Sequence, residues 1–127
     1  MIHLFCQRGD IAKLRDSAFT NDELDKKDDN GWTPLLIAIE MNYFEIVKLL
    51  VDRGANLEVA SLGGFTPFLL AVDSLLDTKE ENSELDFRVI DFLLQKGVDI
   101  TATNDTGHSV FDIIKQYGGC EALESRL

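Results

Sequence analysis

The hydrophobic residues between positions 33 and 54 fall into two short groups that predict a pair of helices. The first group, residues 35–39, follows Thr33-Pro34. There the hydroxyl can accept a bond from a free first-turn N–H, and the proline has no N–H to leave unpaired. The second group, residues 44–50, has apolar residues three and four positions apart, and Gly54 follows where helices commonly end. Helices this short are only marginally stable alone in water, so we expect the pair to pack against a further unit.

The same pattern occurs again along the chain at a regular spacing. Its start is matched 33 and then a further 43 residues later, in the segments Gly31-Trp32-Thr33-Pro34-Leu35, Gly64-Phe65-Thr66-Pro67-Phe68 and Gly107-His108-Ser109-Val110-Phe111. The apolar positions of residues 44–54 recur in residues 87–97. A period near 33 residues with a Thr-Pro-Leu helix start is typical of ankyrin repeats. The chain therefore resembles an ankyrin-repeat protein over nearly its whole length.

The resemblance implies an all-α fold, a solenoid of stacked helix-turn-helix units with short β-hairpin loops. We expect one small, free-standing domain over residues 1–127, with about three and a half repeats. The predicted units are a truncated N-terminal cap at about 1–27, two repeats at 28–60 and 61–103, and a C-terminal cap at 104–127.

The two predicted caps differ from the middle repeats in their polar residues. In the first cap, we expect a second helix over about residues 10–18 and a polar connection over residues 19–27. In the last cap, Ser109 and Asp112 have the spacing of a capping box at a helix start. Ser125-Arg126 stand where the middle repeats carry apolar stacking residues, so we expect no further repeat beyond them.

The third predicted repeat contains an insertion near residues 75–84. Its first helix is expected at about residues 66–75 and its second at about residues 85–96, which leaves ten residues more than in the preceding repeat. Five carboxylates lie between Asp77 and Asp86, against one lysine. The segment is either a solvated loop that the fold tolerates or an acidic contact that supplements the binding surface.

The net charge of −11 limits the class of partner. Nucleic-acid binding needs clustered Lys and Arg, so the charge argues against it and favours a neutral or basic protein partner. No apolar run approaches the ~20 residues of a membrane span, and the N-terminus lacks the features of a secretory signal. Cys6 and Cys120 are far apart in sequence and predict reduced thiols. We expect a monomer in the cytoplasm.

The sequence contains no convincing catalytic, cofactor or metal motif. Residues 28–31 superficially resemble a calcium loop, but counting from the glycine puts Lys26 at the first ligand position and Ile37 at the closing one. His3 and His108 belong to opposite end units, and the Gly-Gly pairs fit turns rather than phosphate loops. We therefore predict that the protein is not an enzyme and uses no cofactor.

The resemblance further implies a concave face, formed by the hairpin tips and the exposed sides of the first helices, that binds a protein partner. Transferring those positions repeat by repeat predicts a site at Asp29, Asn30, Trp32, Glu40, Met41, Leu62, Phe65, Asp73, Ser74, Asp105, Thr106 and His108. The same transfer gives Lys115 and Gln116 in the last unit, and Gln7 and Arg8 in the first.

Trp32, Phe65 and His108 share one position of the repeat, so they are expected to project as a ladder of rings. The rings would form an anchor for the partner, or each would only pack against the neighbouring hairpin. Asp29, Glu40, Asp73 and Asp105 would steer a basic partner. Two functions follow: a general protein-interaction module, or an acidic stoichiometric inhibitor or immunity-type protein that masks a basic toxin or nuclease.

Overall fold

Short helices stacked in two rows make up most of the computed structural model, which describes residues 2–77 and 85–127. Successive inner helices contact one another, and each of the first three packs on the outer helix that follows it. The inner helices are α1 (Ile2–Arg8), α4 (Pro34–Glu40), α6 (Pro67–Asp77) and α8 (Val110–Gln116). The outer helices are α2 (Ile11–Asp16), α5 (Phe44–Asp52) and α7 (Arg88–Gln95), and α3 (Asn21–Leu24) and α9 (Glu121–Glu124) complete the described helices.

The inner helices begin where the sequence predicts. Thr33 Oγ1 accepts a hydrogen bond from the Leu36 N–H at 3.2 Å, and Thr66 Oγ1 accepts the equivalent bond at 3.2 Å. Ser109 starts α8 with the predicted capping box, in which the Asp112 carboxylate accepts the Ser109 backbone N–H at 3.0 Å. Each contact satisfies an N–H at a helix start, which has no partner inside the helix.

A single residue decides how long the inner helices are. Asn42 follows α4 with a φ of 57°, in the left-handed region that asparagine tolerates better than most residues, and the chain turns there into α5. The equivalent residue after α6 is Leu75, which continues the helix to Asp77. Leu76 is buried, so the start of the predicted insertion is packed helix and not a solvated loop. The rest of that insertion, residues 78–84, lies outside the described residues.

Three other element boundaries differ from those predicted. The connection at residues 19–27 contains α3, which Thr20 caps by accepting the Glu23 N–H at 3.2 Å, and its Leu24 is buried. Helix α2 ends at Asp16 and not near residue 18, because the backbone of Ser17 is already extended, with a ψ of 144°. The Ser17 hydroxyl donates to the Lys13 carbonyl at 2.6 Å. Helix α7 begins at Arg88 and not near residue 85.

The hairpin tips are tight turns, and no strand is assigned in the described part of the chain. Each tip contains two backbone hydrogen bonds, one of which joins its ends: Asp28 N–H to Trp32 carbonyl at 2.9 Å, Ser61 N–H to Phe65 carbonyl at 3.0 Å, and Asn104 N–H to His108 carbonyl at 3.0 Å. The predicted hairpins are therefore present as equivalent turns without strand pairing.

Each tip rests against the next one at a glycine. Gly31 has a φ of 81°, and a Cβ added there would collide with the Leu62 side chain. Gly64 has a φ of 80°, and its added Cβ would lie 2.6 Å from the Asp105 backbone nitrogen. The Asp105 N–H also donates to the Gly63 carbonyl at 3.0 Å. Glycine is required at these positions because the backbone is left-handed and the neighbouring tip fills the space.

The core runs through the stack between the rows of helices. Its fully buried side chains include Leu14, Leu36, Leu50, Leu93 and Leu123, one or more from each successive layer. Cys6 and Cys120 are buried and unpaired. The described residues contain no helix long and apolar enough to span a membrane.

Polar contacts join the layers on the side of the outer helices. The Arg53 guanidinium donates to the Ser17 carbonyl at 2.7 Å and to the Arg15 carbonyl at 2.8 Å, and so satisfies free carbonyls at the end of α2. Carboxylates of one layer also accept backbone N–H groups of the next, at Asp25 with Asn56 (2.8 Å) and at Glu58 with Asp99 (3.2 Å).

Arg126, the polar residue at a predicted stacking position of the last unit, packs on the preceding layer. Its guanidinium carbon lies 3.8 Å from the centre of the Phe87 ring, and its Nε donates to Asp91 Oδ1 at 3.0 Å. The arginine is polar, but its planar group covers an aromatic surface as an apolar stacking residue would.

We predict that Leu50→Ala and Leu93→Ala each lower the free energy of unfolding by about 2–5 kcal/mol. Both side chains are fully buried between layers, so truncation removes apolar burial and leaves a cavity. Urea denaturation followed by circular dichroism measures the effect. Leu49→Ala is the matched control, because Leu49 is only partly buried, and it should cost less. Equal losses at all three positions would contradict the observed packing.

We predict that Arg126→Ala destabilises the protein by about 1 kcal/mol, the sum of a partly exposed ion pair and a cation–π contact. In a double-mutant cycle, Phe87→Leu should remove most of the effect of the arginine substitution. Lys27→Ala, an exposed lysine without an ion pair in the described residues, serves as a control and should leave stability unchanged. An Arg126→Ala variant as stable as the parent would show that the contact contributes nothing.

Candidate functional site

The tip before α4, the helix itself and α1 enclose a shallow cavity of about 180 Å³ on the predicted concave face. Its lining consists of one aromatic ring, apolar side chains, amides and carboxylates: Gln7, Asp28, Asn30, Trp32, Ile37, Glu40 and Met41. Four of the predicted site residues therefore meet here. The cavity combines apolar surface with negative charge, which a partner could engage by both means.

Trp32 is fixed in this cavity by its own turn. Asp28 Oδ1 accepts the backbone N–H groups of Asn30 and Trp32, both at 2.9 Å, and so holds the tip in one conformation. The indole is half-buried and packs partly against the core. A ring held in this way loses little side-chain entropy when a partner covers it.

Two hydrogen bonds between inner helices position carboxylates on the same face. The Ser74 hydroxyl donates to Glu40 Oε2 at 2.8 Å, and the Tyr117 hydroxyl donates to Asp73 Oδ1 at 3.0 Å. Three predicted site residues, Glu40, Asp73 and Ser74, thus take part in contacts between layers. Their side chains are oriented by those contacts rather than moving freely in solvent.

Tyr117 belongs to this face, although the sequence analysis missed it. It is 40% exposed and occupies the repeat position of Met41 and Ser74. The positions equivalent to Asp73 and Ser74 were predicted one residue too early, at Lys115 and Gln116, whereas counting 43 residues from Ser74 reaches Tyr117. Burial and the bond to Asp73 raise the pKa of Tyr117 to about 12.

The remaining predicted residues of the first two tips lie outside the cavity. Asp29 is exposed at the turn, and Leu62 is 71% exposed while its side chain lies over Gly31. Phe65 is half-buried and packs partly against the core. Trp32 is therefore the only ring of the predicted ladder that lines the cavity.

The last tip is organised by Asn104. Its side-chain oxygen accepts the backbone N–H groups of Thr106 and His108, each at 3.0 Å. The Thr106 hydroxyl lies 2.9 Å from His108 Nδ1, so the imidazole is bonded within its own turn. Asp105 is exposed beside them. These three predicted residues form a polar patch at the end of the face.

Two larger cavities are lined by other residues of the described part of the chain. One of about 450 Å³ lies between α8 and α9, beside Phe111 and Gly118-Gly119. Another, of about 270 Å³, lies near Phe44, where the Arg88 guanidinium carbon is 5.1 Å from the ring centre. Hydrogen bonds from Arg88 hold the pKa of Asp86 well below its usual range. That ion pair fixes the start of α7 and contributes no reactive group.

The described residues contain no group of His, Cys, Asp and Glu side chains arranged to hold a metal ion. Burial raises the pKa of the Cys6 thiol to about 12, so the sulfur stays protonated and unreactive at neutral pH. The arrangement can therefore bind a surface, by apolar area and charge, but it presents no activated nucleophile at Cys6.

Comparison with known proteins agrees with this architecture. A family model described as ankyrin repeats, in three copies, matches residues 2–104. Ankyrin repeat protein OPG189 of monkeypox virus is 36% identical over 70 residues, which cover 54% of this chain and 12% of that protein. The human transient receptor potential cation channel subfamily A member 1 is 32% identical over 128 residues, covering 97% of this chain and 10% of the channel.

A third relative gives the same result. Putative ankyrin repeat protein L86 of Acanthamoeba polyphaga mimivirus is 30% identical over 97 residues, covering 71% of this chain and 17% of that protein. The chain thus spans between 10% and 17% of the length of these three relatives. What is shared is the repeat architecture, and the similarity does not extend to the activity of any whole relative.

We predict that Asp73→Asn lowers the pKa of Tyr117 from about 12 towards its ordinary value near 10. The substitution removes one of two nearby carboxylate charges that oppose ionisation, while burial of the hydroxyl and the Asp77 carboxylate continue to raise the pKa. Residue-resolved NMR of the tyrosine ring measures it, and Asp29→Asn is a control that should not change it. An unchanged Tyr117 pKa in the Asp73→Asn variant would contradict the observed contact.

The same shift gives a stability prediction with a definite sign. Tyr117 has a higher pKa in the folded state than in the unfolded chain, so its contribution to stability is present below pH 10 and is lost as the pH rises through about 12. Tyr117→Phe should remove this part of the alkaline destabilisation. Urea denaturation at a series of alkaline pH values tests it.

Proposed function

Because the chain belongs to the ankyrin-repeat family, we propose that it is a non-catalytic interaction module that binds a protein partner on its concave face. The observation that carries the proposal is the cavity shared by Trp32, Glu40 and Met41. Ankyrin repeats generally serve as protein-interaction modules, and the comparisons name no partner for this chain. The chemistry of the surface therefore decides which class of partner fits.

The surface supports binding because it offers apolar area that the fold leaves uncovered. Met41 is 46% exposed and lines the cavity with half-buried Trp32, and Leu62 is 71% exposed with its side chain over Gly31. Aromatic and aliphatic side chains surrounded by polar groups are typical of the energetic centre of an interface. We propose that the partner contacts the site residues predicted from the sequence and, in addition, Tyr117.

Charge supports a neutral or basic partner. In residues 1–27 the basic and acidic side chains balance, so the net charge of −11 lies in residues 28–127. That part of the chain includes the exposed or half-exposed carboxylates Asp29, Glu40, Asp73 and Asp105. Complementary charge accelerates encounter and makes it sensitive to salt.

The same charge distribution supports a second candidate function, an acidic stoichiometric inhibitor or immunity-type protein. Such a protein would cover the basic active site of a toxin or nuclease with the carboxylates of residues 28–127. Affinity capture from the source cells distinguishes the two. One basic partner in equimolar amount favours the inhibitor, whereas several unrelated partners favour the general module.

We further propose that the protein acts as a monomer in the cytoplasm. The support for the compartment is the pair of buried, unpaired thiols, Cys6 and Cys120, which suit a reducing environment. Sedimentation of the purified protein and fluorescence imaging in the source cells test these two points separately.

We predict that Trp32→Ala weakens binding of the captured partner by about 2 kcal/mol or more, as expected when a central aromatic anchor is truncated. Isothermal titration calorimetry measures the change. Phe111→Ala is the control, because Phe111 is a large aromatic side chain, 50% exposed, that lies at the α8–α9 cavity and does not line the cavity beside Trp32. Circular dichroism must show that both variants are folded. Normal binding by folded Trp32→Ala would exclude the concave face as the site.

We predict a different effect from reversing the charge at Asp73 and Asp105. The double Lys variant should mainly slow association and reduce its dependence on salt, because charges at the rim act on encounter more than on the bound state. Stopped-flow kinetics at several salt concentrations measure this. A change confined to the dissociation rate would place these carboxylates at the centre of the interface.

A further inference from the structure

We infer that the cavity beside Trp32 receives a lysine or arginine side chain of the partner. This rests on the proposed function of the concave face and specifies what that face recognises. The cavity lies where the first tip meets α1 and α4, and its lining is neither purely apolar nor purely charged. The combination of groups determines the class of side chain that fits.

The walls suit a long aliphatic stem. Ile37 lies on the inner helix α4, and Met41, which is 46% exposed, directly follows that helix. The Trp32 ring forms the remaining apolar surface. Lysine and arginine bury their methylene groups along such surfaces while the charged end stays close to water. An indole face also attracts a cation directly, and tryptophan is the best of the aromatic side chains for this contact.

The rim supplies the matching charge. Asp28 and Glu40 both line the cavity, and neither forms an ion pair with a lysine or arginine among the described residues. Among the residues that the structure describes, no basic one belongs to the lining. A purely apolar side chain from the partner would desolvate these carboxylates without replacing their hydration, and an acidic one would be repelled.

The two carboxylates are held in place before any partner arrives. Asp28 is fixed by two backbone N–H groups of its own turn, and Glu40 is oriented by the Ser74 hydroxyl of the next layer at 2.8 Å. Pre-organised acceptors reduce the ordering cost of binding a flexible cationic side chain. The Ser74 contact also means that the cavity depends on correct stacking of the second and third layers.

The single tryptophan of the chain provides the measurement, since one indole N–H signal reports on this cavity alone. The probes are three capped tripeptides, Gly-Arg-Gly, Gly-Lys-Gly and Gly-norleucine-Gly, titrated at constant ionic strength. The Arg and Lys peptides should shift the indole signal saturably. The norleucine peptide has a similar stem without charge and should bind at least fivefold more weakly.

Glu40→Gln tests the role of the rim. The amide oxygen of Gln can still accept a hydrogen bond from the Ser74 hydroxyl, so the fold is retained. The loss of charge should weaken binding of the Arg and Lys peptides about two- to fivefold, as for a partly exposed ion pair. Glu45→Gln is the matched control: it makes the same change on the outer helix α5, and binding should be unaltered.

The inference would be wrong if the norleucine peptide bound as tightly as the Arg and Lys peptides. It would also be wrong if the Glu40→Gln variant bound the Arg and Lys peptides as tightly as the parent protein does. Absence of any saturable indole shift with the two cationic peptides would overturn it as well. These outcomes differ from failure of the proposed function, which is normal binding of the captured protein partner by folded Trp32→Ala. If the protein partner needs Trp32 but the norleucine peptide binds as tightly as the Arg peptide, the concave face would stand as the binding site. The inference that its cavity receives a cationic side chain would then be wrong.

Discussion

The constraint on which this structure depends is the close approach of successive tips at Gly31 and Gly64. Each glycine has a left-handed backbone, and a residue of the next tip occupies the space where a side chain would lie. This contact fixes the offset between layers at one end of the stack. The inner helices that follow the tips are then brought into register, and with them the residues that form the concave face.

Register between layers explains why the candidate site consists of contacts from different repeats. Glu40 is oriented by Ser74, and Asp73 by Tyr117, so each carboxylate depends on a residue one layer further along. A solenoid is stabilised by nearest-neighbour interfaces. Loss of one interface would therefore disturb the surface presented on both sides of it as well as the local stability.

The sequence predicted the fold well because its signals are local and occur more than once. Thr33 and Thr66 begin helices in the same way, and Ser109 with Asp112 begins a third. The spacing of these starts indicates stacked units before any contact is known. Leu75 also carried a usable signal, because it replaces Asn42 at the position where the preceding inner helix ends.

The features that the sequence did not predict depend on contacts between distant residues. Arg126 was predicted only to end the series of repeats, and the contact of its planar group with the Phe87 ring was not predicted.

Tyr117 was missed through a shift of one residue in the last unit, where the 43-residue spacing replaces the regular 33. The meeting of Trp32 with Gln7 and Glu40 is also non-local, since it joins a tip to two inner helices. Sequence periodicity can place residues on a face, but which of them share one cavity follows from the offset between layers.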